Sequence, residues 1–140
     1  MKNVIIKIKG TQGLGADKDV IELTTEGTLE KSEQGIILRY EEGEMMGERA
    51  VHTALTASGN SVILERSGDM SSKLVIERNK RNSCFYSIPQ GEMVLGIYGK
   101  SVQNELTDSG GTLKMEYTID TNLQPVSENI VEISVKEVKQ

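Results

Sequence analysis

Apolar and polar residues alternate in ten short stretches of this sequence, and that period of two constrains the fold more than any other feature. The first stretch places apolar residues on one parity and lysines on the other: Val4, Ile6 and Ile8 against Lys7 and Lys9. Successive side chains of an extended chain point to opposite faces, so each stretch predicts a strand with one solvated side. Many short strands separated by turn residues are typical of a β-sandwich or a β-barrel.

The stretches are connected by short segments rich in glycine, asparagine, aspartate and serine, such as Ser58-Gly59-Asn60. The predicted strands cover 3–10, 18–30, 35–42, 49–57, 61–66, 72–78, 83–88, 92–102, 111–120 and 126–138. Short turns make consecutive strands antiparallel neighbours, and closing the sheet removes the exposed edges of an open one. We therefore predict an all-β protein with little helix. We also predict that residues 1–140 form a single domain, an antiparallel meander barrel of about 8–10 strands.

The alternation also assigns a face to each residue. An inward-facing set follows the apolar parity and includes Ile6, Ile21, Leu38 and Leu113. Gly27 interrupts the long second strand, and a glycine in that position predicts a bend or bulge that turns the corner of a barrel.

The charge balance argues against nucleic acid as a partner. The formal net charge is -5 and the sequence pI is near 5.0, so the overall field repels phosphate backbones. The basic run Arg78-Asn79-Lys80-Arg81 falls at a predicted turn between two strands, where solvated charges are common. Aromatic residues make up 4% of the chain, too few for a platform on which bases stack.

Residues for metal, cofactor or nucleophilic chemistry are scarce. His52 and Cys84 are each the single residue of their type, whereas a zinc site needs three or four ligands. Gly99-Lys100-Ser101 resembles the end of a P-loop, but that motif needs an earlier glycine where the sequence has Val94. We expect no metal, no cofactor and no catalytic residues, and an enzyme is the least favoured class.

The sequence also predicts where the protein resides. Lys7 and Lys9 interrupt the apolar start before the core of a signal peptide could form, and no apolar stretch approaches the ~20 residues of a membrane span. One cysteine provides no disulfide framework. A cytoplasmic protein without a membrane partner is expected.

Arg66 is the most informative polar residue. It continues the inward parity of Val62 and Leu64 just before a turn, so it lies at one opening of the predicted barrel. An arginine there pairs either with a ligand carboxylate or with a protein carboxylate. The predicted ligand site has a polar rim and an apolar lining: Arg66, Tyr40, Tyr86 and Tyr117 in the rim, with Leu64, Met93, Leu95 and Met115 in the lining.

Five segments in chain order resemble the YwiB-like family of bacterial proteins. They are Thr24-Thr25-Glu26-Gly27, Ile37-Leu38-Arg39-Tyr40-Glu41-Glu42, Val62-Ile63-Leu64-Glu65-Arg66-Ser67-Gly68, Tyr86-Ser87-Ile88-Pro89-Gln90-Gly91 and Gly111-Thr112-Leu113-Lys114-Met115-Glu116-Tyr117. The resemblance implies a calycin-like, or lipocalin-like, β-barrel and brings no established activity. The motifs of better-known barrels are missing, because the chain has no tryptophan for a lipocalin Gly-x-Trp and no Arg-x-Tyr on its last strand, as fatty-acid-binding proteins have.

Two functions follow from these observations. The first is a binding module for a small apolar or amphipathic ligand, since barrel openings often hold ligands. The alternative is a non-catalytic interaction or structural module that uses apolar residues on the outer barrel face: Ile5, Ile37, Ile63 and Val75.

Overall fold

Ten β-strands form almost all of the described chain. The computed structural model describes residues 1–15, 17–42, 51–67, 72–88 and 91–138, and within these ranges it does not describe the side chains of residues 17, 42, 51, 86–88, 92 and 93. The strands are β1 (Lys2–Leu14), β2 (Asp17–Ser32), β3 (Gly35–Glu42), β4 (Val51–Ser58), β5 (Ser61–Ser67), β6 (Ser72–Glu77), β7 (Arg81–Ile88), β8 (Gly91–Thr107), β9 (Gly110–Thr121) and β10 (Gln124–Glu137).

The strands close into a barrel. Each strand is the neighbour of the next strand in the chain, and β1 pairs with β10 to complete the ring. All strand pairs are antiparallel, and the described residues contain no helix. The predicted fold class, an antiparallel meander barrel, is confirmed.

Strand length divides the barrel into two walls. β1, β2, β8, β9 and β10 have 12 to 17 residues, whereas β3 to β7 have 6 to 8. The sequence prediction ended β1 at residue 10 and β8 at residue 102, which was too short. Polar residues such as Gln12 and Gln103 continue these strands because their backbone groups pair with β10 and β9, whatever the side chain.

The barrel interior is filled by apolar side chains. Ile6, Leu38, Leu55, Ile76 and Ile97 are all 0% exposed, and they belong to one contiguous cluster of buried residues. The predicted parity is correct on most strands. It assigned no inward face to β7, where Cys84 is buried, or to β4, where the modest contrast between alanine, threonine and a single leucine hides the inward face.

Gly27 marks the point where β2 and β3 separate. The two strands pair from Ser32↔Gly35 to Gly27↔Tyr40, and no further pair joins them among the described residues, although β2 continues to Asp17. The β1–β2 register runs through Gly27 without a shift, so the strand has no bulge here, and the predicted alternative, a bend, stays a prediction. A Cβ on Gly27 would overlap the carbonyl oxygen of Arg39 and lie 2.8 Å from Ile6 Cδ1, so close packing requires glycine here.

Ile21 is exposed, and its assignment to the core was wrong. It has the inward parity but is 53% exposed, because no described residue of β3 pairs with this part of β2. Its cross-strand neighbour on β1 is Gly10, which has no side chain to cover it.

An ion pair crosses the outer face of three strands. Arg81 on β7 donates from Nε and Nη2 to the Asp120 carboxylate on β9, at 3.1 and 2.7 Å. The guanidinium lies over Gly96 of β8, where a side chain would collide with it. These hydrogen bonds from Arg81 hold the pKa of Asp120 below its usual value.

The turn between β9 and β10 contains a strained leucine. Asn122 and Leu123 have φ values of 50° and 69°, the left-handed conformation of a hairpin turn that favours Asn-Gly. Leu123 is 77% exposed, so packing of its side chain does little to offset the strain of its left-handed backbone conformation. We expect Leu123→Gly to raise the free energy of unfolding by about 1 kcal/mol, measured by urea denaturation. An unchanged or lower value would contradict this description of the turn.

Candidate functional site

A cleft of about 1180 Å³ lies at the end of the barrel where β3 stops and β4 starts, here called the open end. Its lining includes inward-facing residues of four strands, Tyr40, Thr53, Arg66 and Ser72, and outward-facing charged residues of the same strand ends. Both faces contribute because, among the described residues, β2 and β3 pair only as far as Gly27↔Tyr40. The cleft therefore extends over the strand ends, from the inner face of the barrel to its outer face.

The four inward-facing lining residues of β3 to β6 form one row across the sheet. Tyr40 pairs with Thr53, Thr53 with Arg66, and Arg66 with Ser72, on the consecutive strands β3 to β6. Residues directly opposite in an antiparallel pair have Cβ atoms about 5 Å apart and share a face. The register therefore brings a phenol, two hydroxyls and a guanidinium together at the open end.

Thr53 is the most unusual member of this row. The residue is 2% exposed, and its Oγ1 is a buried oxygen for which the described part of the chain provides no hydrogen-bond partner. A buried hydroxyl without a partner costs about 1–3 kcal/mol, so its retention calls for an explanation. A ligand group that hydrogen-bonds Oγ1 in the bound state would provide one.

We expect Thr53→Val to stabilise the ligand-free protein by about 1 kcal/mol, because valine keeps the shape and removes the unsatisfied hydroxyl. Urea denaturation measures the change. Thr56→Val is the matched control, since Thr56 lies on the same strand with a half-buried side chain facing outward, and its effect should stay within about 0.5 kcal/mol. A loss of stability in Thr53→Val would show that the hydroxyl is satisfied in the ligand-free protein.

Arg66 is half-buried and acts electrostatically on Tyr117. Burial raises the pKa of the Tyr117 phenol, and the positive charge of Arg66 partly opposes this rise. The phenol is therefore protonated at neutral pH and can donate a hydrogen bond. Tyr117 lies opposite Asn129, whose Nδ2 donates to Ser127 Oγ at 3.0 Å, so the long wall also has polar groups on its inner face.

Side chains on the outer part of the cleft contact neighbours on the adjacent strand. His52 Nδ1 lies 3.0 Å from Glu41 Oε1, and Glu65 stands opposite Lys73 in the β5–β6 register. Across the described ranges, no three His, Cys, Asp or Glu side chains are grouped closely enough to hold a metal ion.

The structure separates the residues that the sequence grouped into one site. Tyr40 and Arg66 line the cleft, and Tyr117 is buried close enough to Arg66 for the charge to act on it. Leu64 and Met115 lie in the packed core and Leu95 is partly buried against it, so the cleft lining does not include these three. The side chains of Tyr86 and Met93 lie outside the described residues, although their backbones pair with each other.

Sequence reasoning missed Thr53 and Ser72. Both stand beside Arg66 in the register, but a threonine inside a predicted strand and a serine at the start of one have no distinctive pattern. The predicted carboxylate partner of Arg66 stays a prediction.

The sequence matches a family model over nearly its full length. Residues 6–133 match a family described as "Domain of unknown function (DUF1934)". The chain belongs to this family. The matched range extends from β1 into β10 and includes the whole row from Tyr40 to Ser72. No curated protein matches the chain.

The barrel of this DUF1934 protein is similar to a solved structure, the crystal structure of the ywiB protein from Bacillus subtilis, with a TM-score of 0.86. The two sequences are 20% identical, and the alignment covers 99% of this chain and 93% of that chain. At this identity the likeness establishes the fold. Together with the family match it confirms the predicted YwiB-like family. In the described chain, no helix is long and apolar enough to cross a membrane.

Proposed function

We propose that this protein is a small-molecule binding module whose ligand places an anionic group, a carboxylate or a phosphate, against Arg66 and Thr53. The observation that carries the proposal is the buried Thr53 hydroxyl. It lacks a hydrogen-bond partner among the described residues, it lines the cleft, and it lies beside a half-buried arginine. The Arg66 guanidinium and the Thr53 hydroxyl face inward on neighbouring strands. Both can donate hydrogen bonds to the oxygens of a carboxylate or a phosphate.

Arg66 can serve a ligand even while it contacts protein. A guanidinium carries five N–H donors in a plane, and two of them suffice for a bidentate bond to a carboxylate or phosphate. Its half-buried position weakens competition from water for those bonds. Ser72, opposite Arg66 in the register, supplies a further hydroxyl to the same row.

The packed interior supports a ligand that stays at the rim. Side chains below the row, including Leu38 and Leu55, are 0% exposed, so the barrel core has no room for a long apolar tail. The cleft exceeds the roughly 300 Å³ lower limit of typical ligand sites. Leu23, Ala54 and Phe85 provide apolar contact in the lining. A small, amphipathic acid fits this combination better than a fatty acid.

Native mass spectrometry of protein purified gently from its own cells tests the proposal. We expect a non-covalent adduct of a small acid on the wild type and on Arg78→Met, an exposed arginine in the turn after β6. The adduct should be lost from Arg66→Met. An adduct retained equally by Arg66→Met, or a bare wild-type mass, would contradict the proposal.

The outer face supports the alternative function less well. Ile5, Ile37, Ile63 and Val75 have the predicted outward parity, but each is half-buried. A protein partner on that face and a cytoplasmic location stay predictions.

A further inference from the structure

The first half of β2 has an exposed edge. From Asp17 to Glu26 it pairs with β1 on one side, and among the described residues no strand pairs with its other side. Val20 and Ile21 on this edge are 58% and 53% exposed. A long strand edge with free backbone groups and exposed apolar side chains is a template for pairing with another strand.

We propose that this edge pairs antiparallel with the same edge of a second copy, around a two-fold axis at Val20. The two molecules then form one continuous sheet across the interface. In this register Val20 stands opposite Val20 of the second copy, and each Lys18 stands opposite the second copy's Glu22. A two-fold pairing is self-complementary, so every contact occurs twice.

The charges on this edge favour a second copy of the same chain as the partner, and they favour the register centred on Val20. Lys18, Val20 and Glu22 share the outer face of β2, since their partners on β1 are the outward-facing Gly13, Thr11 and Lys9 positions. Moving the axis to Ile21 would place Val20 opposite Glu22. Moving it to Glu22 would place that carboxylate opposite itself. Opposite charges directly across a strand pair are favourable and like charges are unfavourable.

The inner face of the edge is compatible with the same register. Asp19 would stand opposite Ile21 of the second copy, and both residues are exposed in the single molecule. This part of β2 extends past the last β2–β3 pair, so Asp19 borders the open end and keeps access to water. The ion pair of Lys18 with Glu128, at 3.6 Å, is exposed and contributes little, so Lys18 can shift towards the second copy.

Sedimentation velocity over a concentration series tests the dimer through charge reversal. Lys18→Glu places two glutamates opposite each other in both symmetric contacts, and Glu22→Lys does the same with two lysines. We expect each variant to raise the dimer dissociation constant about tenfold or more, because attraction becomes repulsion at two pairs. An equimolar mixture of the two variants should form a heterodimer as tight as the wild type, since every pair is again of opposite sign.

Lys2→Glu is the matched control, because the half-buried Lys2 lies away from the β2 edge, with its Nζ 4.0 Å from Oε2 of Glu137 on β10. It should dimerise like the wild type. Circular dichroism confirms folding of each variant, and Val20→Asp, which brings two carboxylates together at the axis, replaces any variant that fails to fold. A wild type that stays monomeric throughout the series would overturn the proposal. So would variants that dimerise normally, or a mixture that stays monomeric.

Discussion

Gly27→Ala is expected to lower the free energy of unfolding by about 3 kcal/mol, because the alanine side chain has no room between β2 and β3. The added Cβ would overlap the carbonyl oxygen of Arg39 and come within 2.8 Å of Ile6 Cδ1 and 3.1 Å of Tyr40 Cβ. Backbone atoms of a paired strand cannot move aside singly, so β2 and β3 must separate. Because Tyr40 lies at the cleft, the same separation should disturb the site.

Gly10→Ala provides the control for this substitution. Gly10 is also a strand glycine, but a Cβ built there meets no atom within 4 Å. Alanine is preferred over glycine in strand interiors, so Gly10→Ala should be neutral or stabilising by about 0.5 kcal/mol. Urea denaturation of both variants measures the difference. A Gly27→Ala variant within about 0.5 kcal/mol of the wild type would show that the two strands tolerate a wider spacing.

Arg66→Met is expected to weaken binding of a small carboxylate or phosphate by about 10- to 100-fold. Hydrogen bonds to charged groups contribute about 1.5–3 kcal/mol each, and methionine keeps much of the side-chain length without any donor. The rise in Tm with acetate or inorganic phosphate, at constant ionic strength, gives the apparent Kd of each variant.

Arg78→Met controls for the loss of one positive charge. Arg78 is exposed in the turn between β6 and β7, at the opposite end of the barrel from the cleft, so its loss should leave the apparent Kd unchanged. Arg66→Lys should be intermediate, because an ammonium retains the charge and loses the planar fork. If Arg66→Met and Arg78→Met weaken binding equally, the effect comes from the loss of one positive charge. That result would contradict a role for Arg66 in the site.

The fold was predictable from the sequence because alternation and turn residues act locally. Most strands show one apolar face in the sequence, and short connections make antiparallel neighbours the simplest arrangement. Strand lengths were less predictable, since Gln12 and Gln103 extend β1 and β8 through backbone pairing alone. The exposure of Ile21 depends on where the described β2–β3 pairing ends, which the local pattern of β2 cannot reveal.

The candidate site was only partly predictable. Parity placed Arg66 and Tyr40 on the inner face near an opening, and both line the cleft. Thr53 joins them through the β4 register, which long-range pairing sets. Leu64 and Met115 share the inward parity of site residues but lie in the packed core, because parity gives the face of a strand and not the depth along the barrel.

The central claim is that the row at the open end holds an anionic group, and amide ¹H–¹⁵N NMR during a titration with sodium acetate tests it most directly. Chloride at matched ionic strength supplies the baseline. The claim predicts saturable shifts at Tyr40, Thr53, Arg66 and Ser72, which Arg66→Met abolishes and Arg78→Met preserves. Shifts spread over the surface lysines without saturation, or saturable shifts that persist in Arg66→Met, would contradict it.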